Sequence, residues 1–274
     1  MKITVSHTIA RATLYYIMGI FESKSIGLVL SGGGVRGMAH IGVLRAMQDH
    51  GIAANLVSGS SVGALVAALY ANGHSIPEML SFFKETPLFR YNFLTILKPG
   101  LVDTERYIDI FKGYFPDDNF SALKRELFVV ATNLQKGEEE FFSEGELIRP
   151  LLASAALPPV FTPVSINNCL YGDGGIMNNF PLEPIKDKVD FMIGSNVSVI
   201  KQVDKKSIRT SLQLASRTSA LMIYAINRSK IAQCDFIIEP MELDQIGVLD
   251  KAGIEKAYII GYEHACRKLE KLAP

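Results

Sequence analysis

Short, continuous apolar runs alternate with segments of helical spacing along the first part of the chain. The run Ile26–Leu30 contains only apolar residues and one glycine, which is typical of a strand buried on both faces. Residues 38–50 follow with apolar positions three residues apart, and Gly51 provides a helix stop. A second apolar strand, Leu56–Ser58, leads into an apolar helix that reaches Tyr70. This order predicts neighbouring parallel strands joined by a right-handed crossover.

The rest of the chain continues this alternation of strand and helix signals. Strands are expected at residues 127–132, 140–142, 170–173, 190–197 and 236–239. Helices are expected at residues 76–85, 104–114, 147–156, 208–232 and 251–272. Two of these helices follow serine–glutamate pairs spaced as capping boxes, Ser75 with Glu78 and Ser143 with Glu146. Together the elements predict an α/β fold with a mostly parallel central sheet.

Residues 86–100 are less regular and carry a cluster of apolar and aromatic side chains. The cluster comprises Phe89, Tyr91, Phe93, Leu94, Ile96 and Leu97. Packing in the core explains it, and so does a flap over an acyl-binding cleft. Both interpretations stay open at the level of sequence.

The N-terminal residues are apolar, but His7 and Arg11 interrupt them, and no small-residue cleavage site follows. The segment is therefore a poor signal peptide and too short to span a bilayer. Four residues can share one helical face, namely Leu14, Tyr15, Met18 and Phe21. That face would pack on the domain, lie on a membrane surface or contact a second copy in a homodimer. We expect residues 1–24 to form an N-terminal helical extension and residues 25–274 one domain.

Composition narrows the class of protein. The chain has 274 residues, 48% of them hydrophobic and 20% charged, which suits a globular α/β protein with a large core. Its formal net charge of zero argues against a nucleic-acid partner. No apolar run reaches spanning length, so the expected location is the cytoplasm, with peripheral membrane contact as a second expectation. Residues 186–209 hold six basic and three acidic residues, which fits either a solvated loop or contact with anionic lipid.

A serine flanked by glycines lies between the second strand and its helix, in the run Gly59-Ser60-Ser61-Val62-Gly63. A serine at such a corner has strained backbone geometry and an exposed hydroxyl at the sheet edge. The glycines are needed because a Cβ at either place would meet the neighbouring turn. The following helix directs the positive end of its dipole at Ser61. The pattern therefore predicts a nucleophilic serine.

A glycine-rich turn follows the first strand. The spacing Gly32-x-Gly34-x-x-Gly37 matches the dinucleotide-binding fingerprint, but serines replace the acidic residue that should follow the second strand. The sequence pattern of a phosphate-binding P-loop does not match either, because Met38 occupies the position of its lysine. Successive glycine N–H groups can instead form a concave anion site, and beside Ser61 such a site is an oxyanion hole. Arg36 either adds positive charge there or lies exposed at the helix start.

A nucleophilic serine needs a base. The chain has five histidines, His7, His40, His50, His74 and His264. Only His264 lies in the Ser…Asp…His order of α/β-hydrolases, and its neighbours are charged residues of a surface helix. Asp173 is the better candidate, because it ends a short strand and two glycines follow it. Its carboxylate would need a cleft that excludes water, since burial raises the pKa of an aspartate. An ordinary Asp-Gly turn remains the alternative.

Three blocks of sequence, in this order, resemble the patatin-like phospholipase family. They are Gly32-Gly33-Gly34-Val35-Arg36-Gly37, Gly59-Ser60-Ser61-Val62-Gly63 and Asp173-Gly174-Gly175. The family pairs G-G-G-x-[RK]-G with G-x-S-x-G and D-G-[GA], and residues 153–161 and 178–181 resemble its intervening and following segments. The resemblance extends from about residue 25 to residue 197.

The resemblance implies an α/β/α sandwich and a Ser–Asp dyad that hydrolyses lipid esters, as a phospholipase A, lysophospholipase or carboxylesterase. It makes Ser61 the nucleophile and Asp173 the residue that activates it. Glycines 32–34 and Arg36 would form the oxyanion region, with support from Gly37, Gly59, Gly63, Gly174 and Gly175. It implies no metal and no cofactor. A catalytically silent lipid-surface protein or a nucleotide-binding protein of the same fold is the alternative.

Overall fold

A computed structural model of the chain describes residues 14–86, 93–96 and 98–273. The strands are β1 (Ile26–Leu30), β2 (Leu56–Ser60), β3 (Glu126–Asn133), β4 (Glu138–Phe142), β5 (Val164–Ile166), β6 (Cys169–Gly172), β7 (Phe191–Ser195) and β8 (Phe236–Ile238). The helices are α1 (14–21), α2 (Met38–Asp49), α3 (Val62–Asn72), α4 (Ile76–Glu85), α5 (Ile108–Lys112), α6 (Ile148–Ser154), α7 (Ser211–Ile231) and α8 (Ile254–Glu270). The described helices include none that is long and apolar enough to cross a membrane.

These strands form one sheet in the order β5-β6-β3-β2-β1-β7-β8, with β4 also paired to β3. Strands β3, β2, β1, β7 and β8 are parallel neighbours, whereas β4, β5 and β6 pair in antiparallel fashion. The predicted α/β fold with a mostly parallel sheet and flanking helices is therefore confirmed. The chain leaves β1 toward β2 on one side and returns to β7 on the other. The carboxyl end of β1 is thus a topological switch point, where α/β proteins commonly bind ligands.

Strand β3 brings two distant parts of the sequence together. It pairs with β2 over residues 126–130 and with β6 at residues 132–133, while β4 pairs over residues 129–133. Because β4 overlaps both of the other partners, it must occupy one edge of β3 and leave β2 and β6 in line on the opposite edge. The residues that follow β2 and β6 therefore meet.

The two faces of the sheet are covered differently. Side chains of a strand alternate between faces, so Leu28 and Leu30 join the large core cluster while Val29 joins a smaller one. The large cluster contains buried side chains of α1 to α6 and α8. The smaller cluster contains Phe180, Leu182 and Ile185, and the carboxyl end of α7 packs against it through Ile231. Non-helical chain thus covers part of the second face.

The expected capping box before α6 is wrong, and the expected N-terminal helical face is only partly buried. The helix after Ser143 and Glu146 has no capping box, because Asp118 Oδ1 accepts its first hydrogen bond from the backbone N–H of Ile148 at 2.7 Å. A carboxylate 30 residues away in sequence thus replaces the expected cap. At the N-terminus, the buried residues of α1 are Ile17 and Phe21, while Tyr15 is 71% exposed and Met18 40% exposed. The domain division at residue 24 remains a prediction.

The aromatic cluster of residues 86–100 lies partly outside the described residues, which omit Phe89, Tyr91 and Leu97. Of the described members, Phe93 is buried and its ring contacts that of Tyr107 edge-on, with centroids 4.9 Å apart. Leu94 and Ile96 are exposed. Core packing is thus confirmed for Phe93, and the flap over a cleft stays a prediction.

Candidate active site

Ser61 lies at the corner between β2 and α3 in a strained backbone conformation, with φ 52° and ψ −129°. An L-residue rarely adopts a positive φ, so the surrounding structure must hold it there. A Cβ on Gly59 would lie 2.6 Å from the Ala64 nitrogen, and one on Gly63 would contact the backbone carbonyl of Leu30. Both glycines are therefore required by close backbone approach, as the sequence predicts. Helix α3 begins immediately after Ser61, so its positive end faces the hydroxyl.

The Ser61 hydroxyl donates a hydrogen bond of 2.6 Å to the Asp173 carboxylate oxygen Oδ2. The other carboxylate oxygen, Oδ1, accepts a 2.7 Å hydrogen bond from the backbone N–H of Gly175. Asp173 is only 4% exposed. Burial raises the pKa of Asp173 to about 6, against the opposing effect of these two hydrogen bonds. The carboxylate is thus a stronger base than a solvated aspartate, and it is still ionised at neutral pH.

Groups outside the three sequence blocks hold this pair in place. The buried Ser154 hydroxyl, at the end of α6, accepts a 2.9 Å hydrogen bond from the backbone N–H of Ser61. The Thr132 hydroxyl of β3 donates a 2.8 Å bond to the carbonyl of Asp173. Sequence reasoning did not assign a role to either side chain. The Ala-Ser-Ala-Ala run around Ser154 was the available signal, but its contact with Ser61 arises only from the tertiary fold.

The glycine turn lies beside Ser61 because β1 and β2 are neighbours. The N–H of Gly32 is already bonded to the carbonyl of Asn179. Those of Gly33 and Gly34 have no acceptor among the residues that the structure describes, and both glycines line the pocket that contains Ser61. Gly34 has φ 57°, which places it in the left-handed region. Two backbone donors are therefore available to an oxyanion at this position.

Arg36 points toward the C-terminal part of the chain. Its Nε donates a 2.7 Å hydrogen bond to the carbonyl of Ile246, and Nη2 lies 3.5 Å from the carbonyl of Asp244. Burial lowers the pKa of its guanidinium, with partial compensation from the charge of Asp244. The side chain thus connects the glycine turn to residues 244–246, while it also lines the pocket.

None of the four histidines within the described ranges hydrogen-bonds to Ser61 or Asp173, and His7 lies outside those ranges. His40 is fully buried between the Ser195 hydroxyl, 2.8 Å from Nδ1, and the Ser31 carbonyl, 2.9 Å from Nε2. Because a carbonyl can only accept, Nε2 carries the proton and Nδ1 accepts from Ser195. Burial lowers the pKa of His40 to about 4. The neutral His40 side chain therefore connects the ends of β1 and β7 through these two hydrogen bonds.

Ser61 and Asp173 open into a pocket of about 730 Å³. One side is the floor, formed by Gly33, Gly34, Ser61 and Asp173, which follow the ends of β1, β2 and β6. Aromatic and aliphatic side chains extend the pocket inward, namely Leu65, Phe82, Phe83, Tyr107, Phe111, Leu152 and Phe161. Another side is the α7 wall, formed by the pocket-lining residues of α7, which are Ser216, Ser219, Ala220, Met222, Ile223 and Ile226. A long apolar ligand with one polar group at the floor fits this arrangement.

Comparison with known proteins agrees with the resemblance in the three sequence blocks. A family model described as patatin-like phospholipase matches residues 28–186. A protein from Aspergillus fumigatus named Lysophospholipase nte1 is 32% identical over 193 residues, which cover 68% of this chain and 12% of that protein. A relative in Mycobacterium bovis, named as an uncharacterized NTE family protein, is 32% identical over 60% of this chain and 46% of its own length.

A similar fold is found among solved structures. The crystal structure of VipD from Legionella pneumophila aligns with a TM-score of 0.53 and 16% sequence identity, over 90% of this chain and 67% of that one. At this identity the likeness concerns the fold alone. The chain spans only 12% to 19% of the length of these fungal relatives.

Proposed function

Because the chain belongs to the patatin-like phospholipase family, we propose that it hydrolyses acyl esters of lipids through Ser61 and Asp173. The observation that carries this proposal is the 2.6 Å hydrogen bond from the Ser61 hydroxyl to the buried Asp173 carboxylate. Two glycine N–H groups without an acceptor in the described structure lie beside it, at the floor of an apolar pocket. Nucleophile, base, oxyanion donors and acyl site are the parts that acyl transfer requires.

In the first half-reaction, Asp173 accepts the Ser61 proton while Oγ attacks the ester carbonyl carbon. The carbonyl oxygen becomes an oxyanion, which the N–H groups of Gly33 and Gly34 stabilise. The tetrahedral intermediate then collapses with cleavage of the bond to the alcohol oxygen. Protonated Asp173 returns the proton to that oxygen, the alcohol leaves, and the acyl group remains on Ser61.

In the second half-reaction, a water molecule takes the place of the alcohol. Asp173 accepts a proton from the water as its oxygen attacks the acyl carbon. The second tetrahedral intermediate uses the same glycine donors. Its collapse breaks the bond to Ser61 Oγ, which regains a proton from Asp173, and the fatty acid is released.

A lipid with a single acyl chain is the proposed substrate class. The pocket provides one continuous, mainly apolar space next to Ser61, and α7 contributes part of its lining. The fungal relatives are named lysophospholipases, which supports the same choice. We therefore expect lysophosphatidylcholine to be hydrolysed in preference to diacyl phosphatidylcholine.

The test compares wild type with Ser61→Ala on a soluble p-nitrophenyl ester and on lysophosphatidylcholine. The substitution should lower kcat/KM by roughly 10⁴-fold or more, because the nucleophile is lost. Ser60→Ala is a matched control, since it removes a hydroxyl one residue earlier whose buried oxygen has no hydrogen-bond partner in the described structure. Its activity should stay within about threefold of wild type. Equal activities of Ser61→Ala and Ser60→Ala would refute the proposal.

A further inference from the structure

Exposed apolar side chains surround the mouth of the pocket. Five of them both line the pocket and remain at least two-fifths exposed: Ile176, Met222, Ile226, Val248 and Leu249. They come from three separate parts of the chain, which are the turn after Asp173, helix α7 and the segment before α8. A single exposed apolar residue is ordinary, whereas a contiguous group of them around an opening marks a contact site.

Helix α7 extends this apolar surface away from the pocket. Among its described side chains, only that of Asn227 is buried. Leu214 and Leu221 are 55% and 44% exposed, and neither lines the pocket. They are seven residues apart and so lie on one side of the helix, opposite the side of Ser216 and Ile223. Among the described residues, the outer side of α7 is thus an apolar surface without a covering element.

The same region carries positive charge. Residues 205–231 contain six basic residues and no acidic residue, although the whole chain has 28 of each sign. Lys205, Lys206, Arg209 and Arg228 are exposed. Within the described part of the chain, none of these four side chains forms an ion pair, whereas Lys230 is paired with Glu183. Their charge therefore remains available to a partner outside the chain.

We infer that the outer side of α7, together with the apolar rim of the pocket, docks on an anionic lipid surface. Apolar side chains would enter the boundary between headgroups and acyl chains, while the free basic groups contact anionic headgroups. The pocket mouth then faces the lipid, so an acyl chain can enter the pocket without crossing water. The docking surface adds to the proposed hydrolysis but does not depend on it, because a bilayer could bind here whether or not Ser61 reacts.

Vesicle flotation of the full chain tests this inference. Carrying the Ser61→Ala substitution in every sample keeps the lipid intact. Vesicles of equal parts phosphatidylcholine and phosphatidylglycerol are compared with vesicles of phosphatidylcholine alone. Binding should be at least about tenfold stronger to the anionic vesicles, since each free basic group near the surface favours them.

The double substitution Leu214→Glu/Leu221→Glu should weaken binding to anionic vesicles by about tenfold or more, because it removes apolar area and adds repulsion. Ile259→Glu is a matched control, since Ile259 lies on α8, is 45% exposed and does not line the pocket. It should bind like the parent. Hydrolysis of a soluble ester by the same variants with Ser61 intact should be unchanged, which shows that they fold.

Three results would overturn the inference. One is equal vesicle binding by the double variant and its control, and another is equal binding of the parent to neutral and anionic vesicles. The third is a parent that does not bind vesicles but forms a dimer that the double variant abolishes, which would assign the surface to a second copy of the chain. If wild type does not hydrolyse esters but the chain still binds vesicles, only the proposed function is refuted.

Discussion

The two sides of the pocket are built in opposite ways. On the floor, Asp173 is buried, both of its carboxylate oxygens accept hydrogen bonds, and the backbone N–H of Ser61 is bonded to Ser154. On the α7 wall, four of the six side chains are exposed. Elsewhere on α7, the one buried side chain among those described, Asn227, has an amide without a hydrogen-bond partner in the described structure. The floor lies within the residues that match the family, whereas α7 lies beyond them.

The difference separates two physical demands. Proton transfer between Ser61 and Asp173 requires atoms held to within a fraction of an ångström, and only dense packing and complete hydrogen bonding achieve this. Contact with a lipid surface requires the reverse, namely apolar groups left without intramolecular partners. We therefore expect substitutions on the floor to change reaction rate strongly, and substitutions on the α7 wall to change substrate affinity modestly.

Among the variants that keep Ser61, the largest expected effect is that of Asp173→Asn. The amide cannot accept the Ser61 proton, so kcat should fall by roughly 10³–10⁴-fold. The same substitution should have the opposite effect on stability: relative to wild type, the free energy of unfolding of the variant should increase with pH. Because burial raises the pKa of Asp173 from 3.8 to about 6, the wild type loses stability as pH rises through that interval.

The asparagine variant lacks this titration. Its free energy of unfolding relative to wild type should therefore rise between pH 4 and pH 7, by roughly 2 kcal/mol. Denaturant unfolding at several pH values measures the change. A relative stability that is constant with pH would show that the buried carboxylate has an ordinary pKa, and the floor would then provide no special environment.

Gly34→Ala should have the next largest effect. Gly34 has a left-handed backbone with φ 57°, and an added Cβ would collide with the carbonyl of Val248. The turn must shift, which moves an oxyanion donor, so kcat should fall by about 10²-fold. Gly137→Ala is a control, because Gly137 has φ 72° but nothing lies within 4 Å of the added Cβ. Equal losses of activity in both variants would assign the effect to backbone strain alone.

The pH dependence of the rate gives a smaller and graded effect. Asp173 acts as a base only when it is ionised, and its pKa is about 6. The value of kcat/KM for a soluble ester should therefore be constant above pH 7 and fall about tenfold per unit well below pH 6. A decline that begins near pH 4 instead would indicate a solvated carboxylate and contradict the buried floor.

The smallest expected effect is that of Ile223→Ala on the α7 wall. Ile223 lines the pocket and is only half-buried, so the substitution removes apolar contact without disturbing the floor. The KM for lysophosphatidylcholine should rise roughly three- to tenfold with kcat nearly unchanged. A large decrease in kcat would show that the wall takes part in positioning the reacting atoms, and the two sides would then not be independent.

The sequence predicts the floor better than the wall. Local patterns identify β1, β2 and the glycine turns, because a buried parallel strand and a positive-φ turn each restrict residue type strongly. Local patterns do not predict the contact between Ser61 and Asp173, because that contact depends on β2 and β6 sharing one edge of β3. Ser154 and Asp118 act on backbone groups remote in sequence, and no local pattern encodes such a partner.

For helix α7, the sequence predicts the element but not its orientation. Its existence is predictable, and Thr210 and Gln213 form a capping box at its start. Which of its sides faces the pocket cannot be predicted, because serine, alanine and leucine occur on both sides. The same limit applies to α1, because Ile17 and Met18 are adjacent apolar residues and tertiary packing decides which one is buried.

Covalent labelling with a fluorophosphonate tests the central claim most directly. The reagent reacts with an activated serine hydroxyl, and mass spectrometry of the digested protein locates the adduct. We expect one adduct per chain at Ser61, none in Ser61→Ala, and labelling slowed by roughly 10²-fold or more in Asp173→Asn. An adduct on another residue, or labelling of Asp173→Asn at the wild-type rate, would contradict a Ser61–Asp173 dyad.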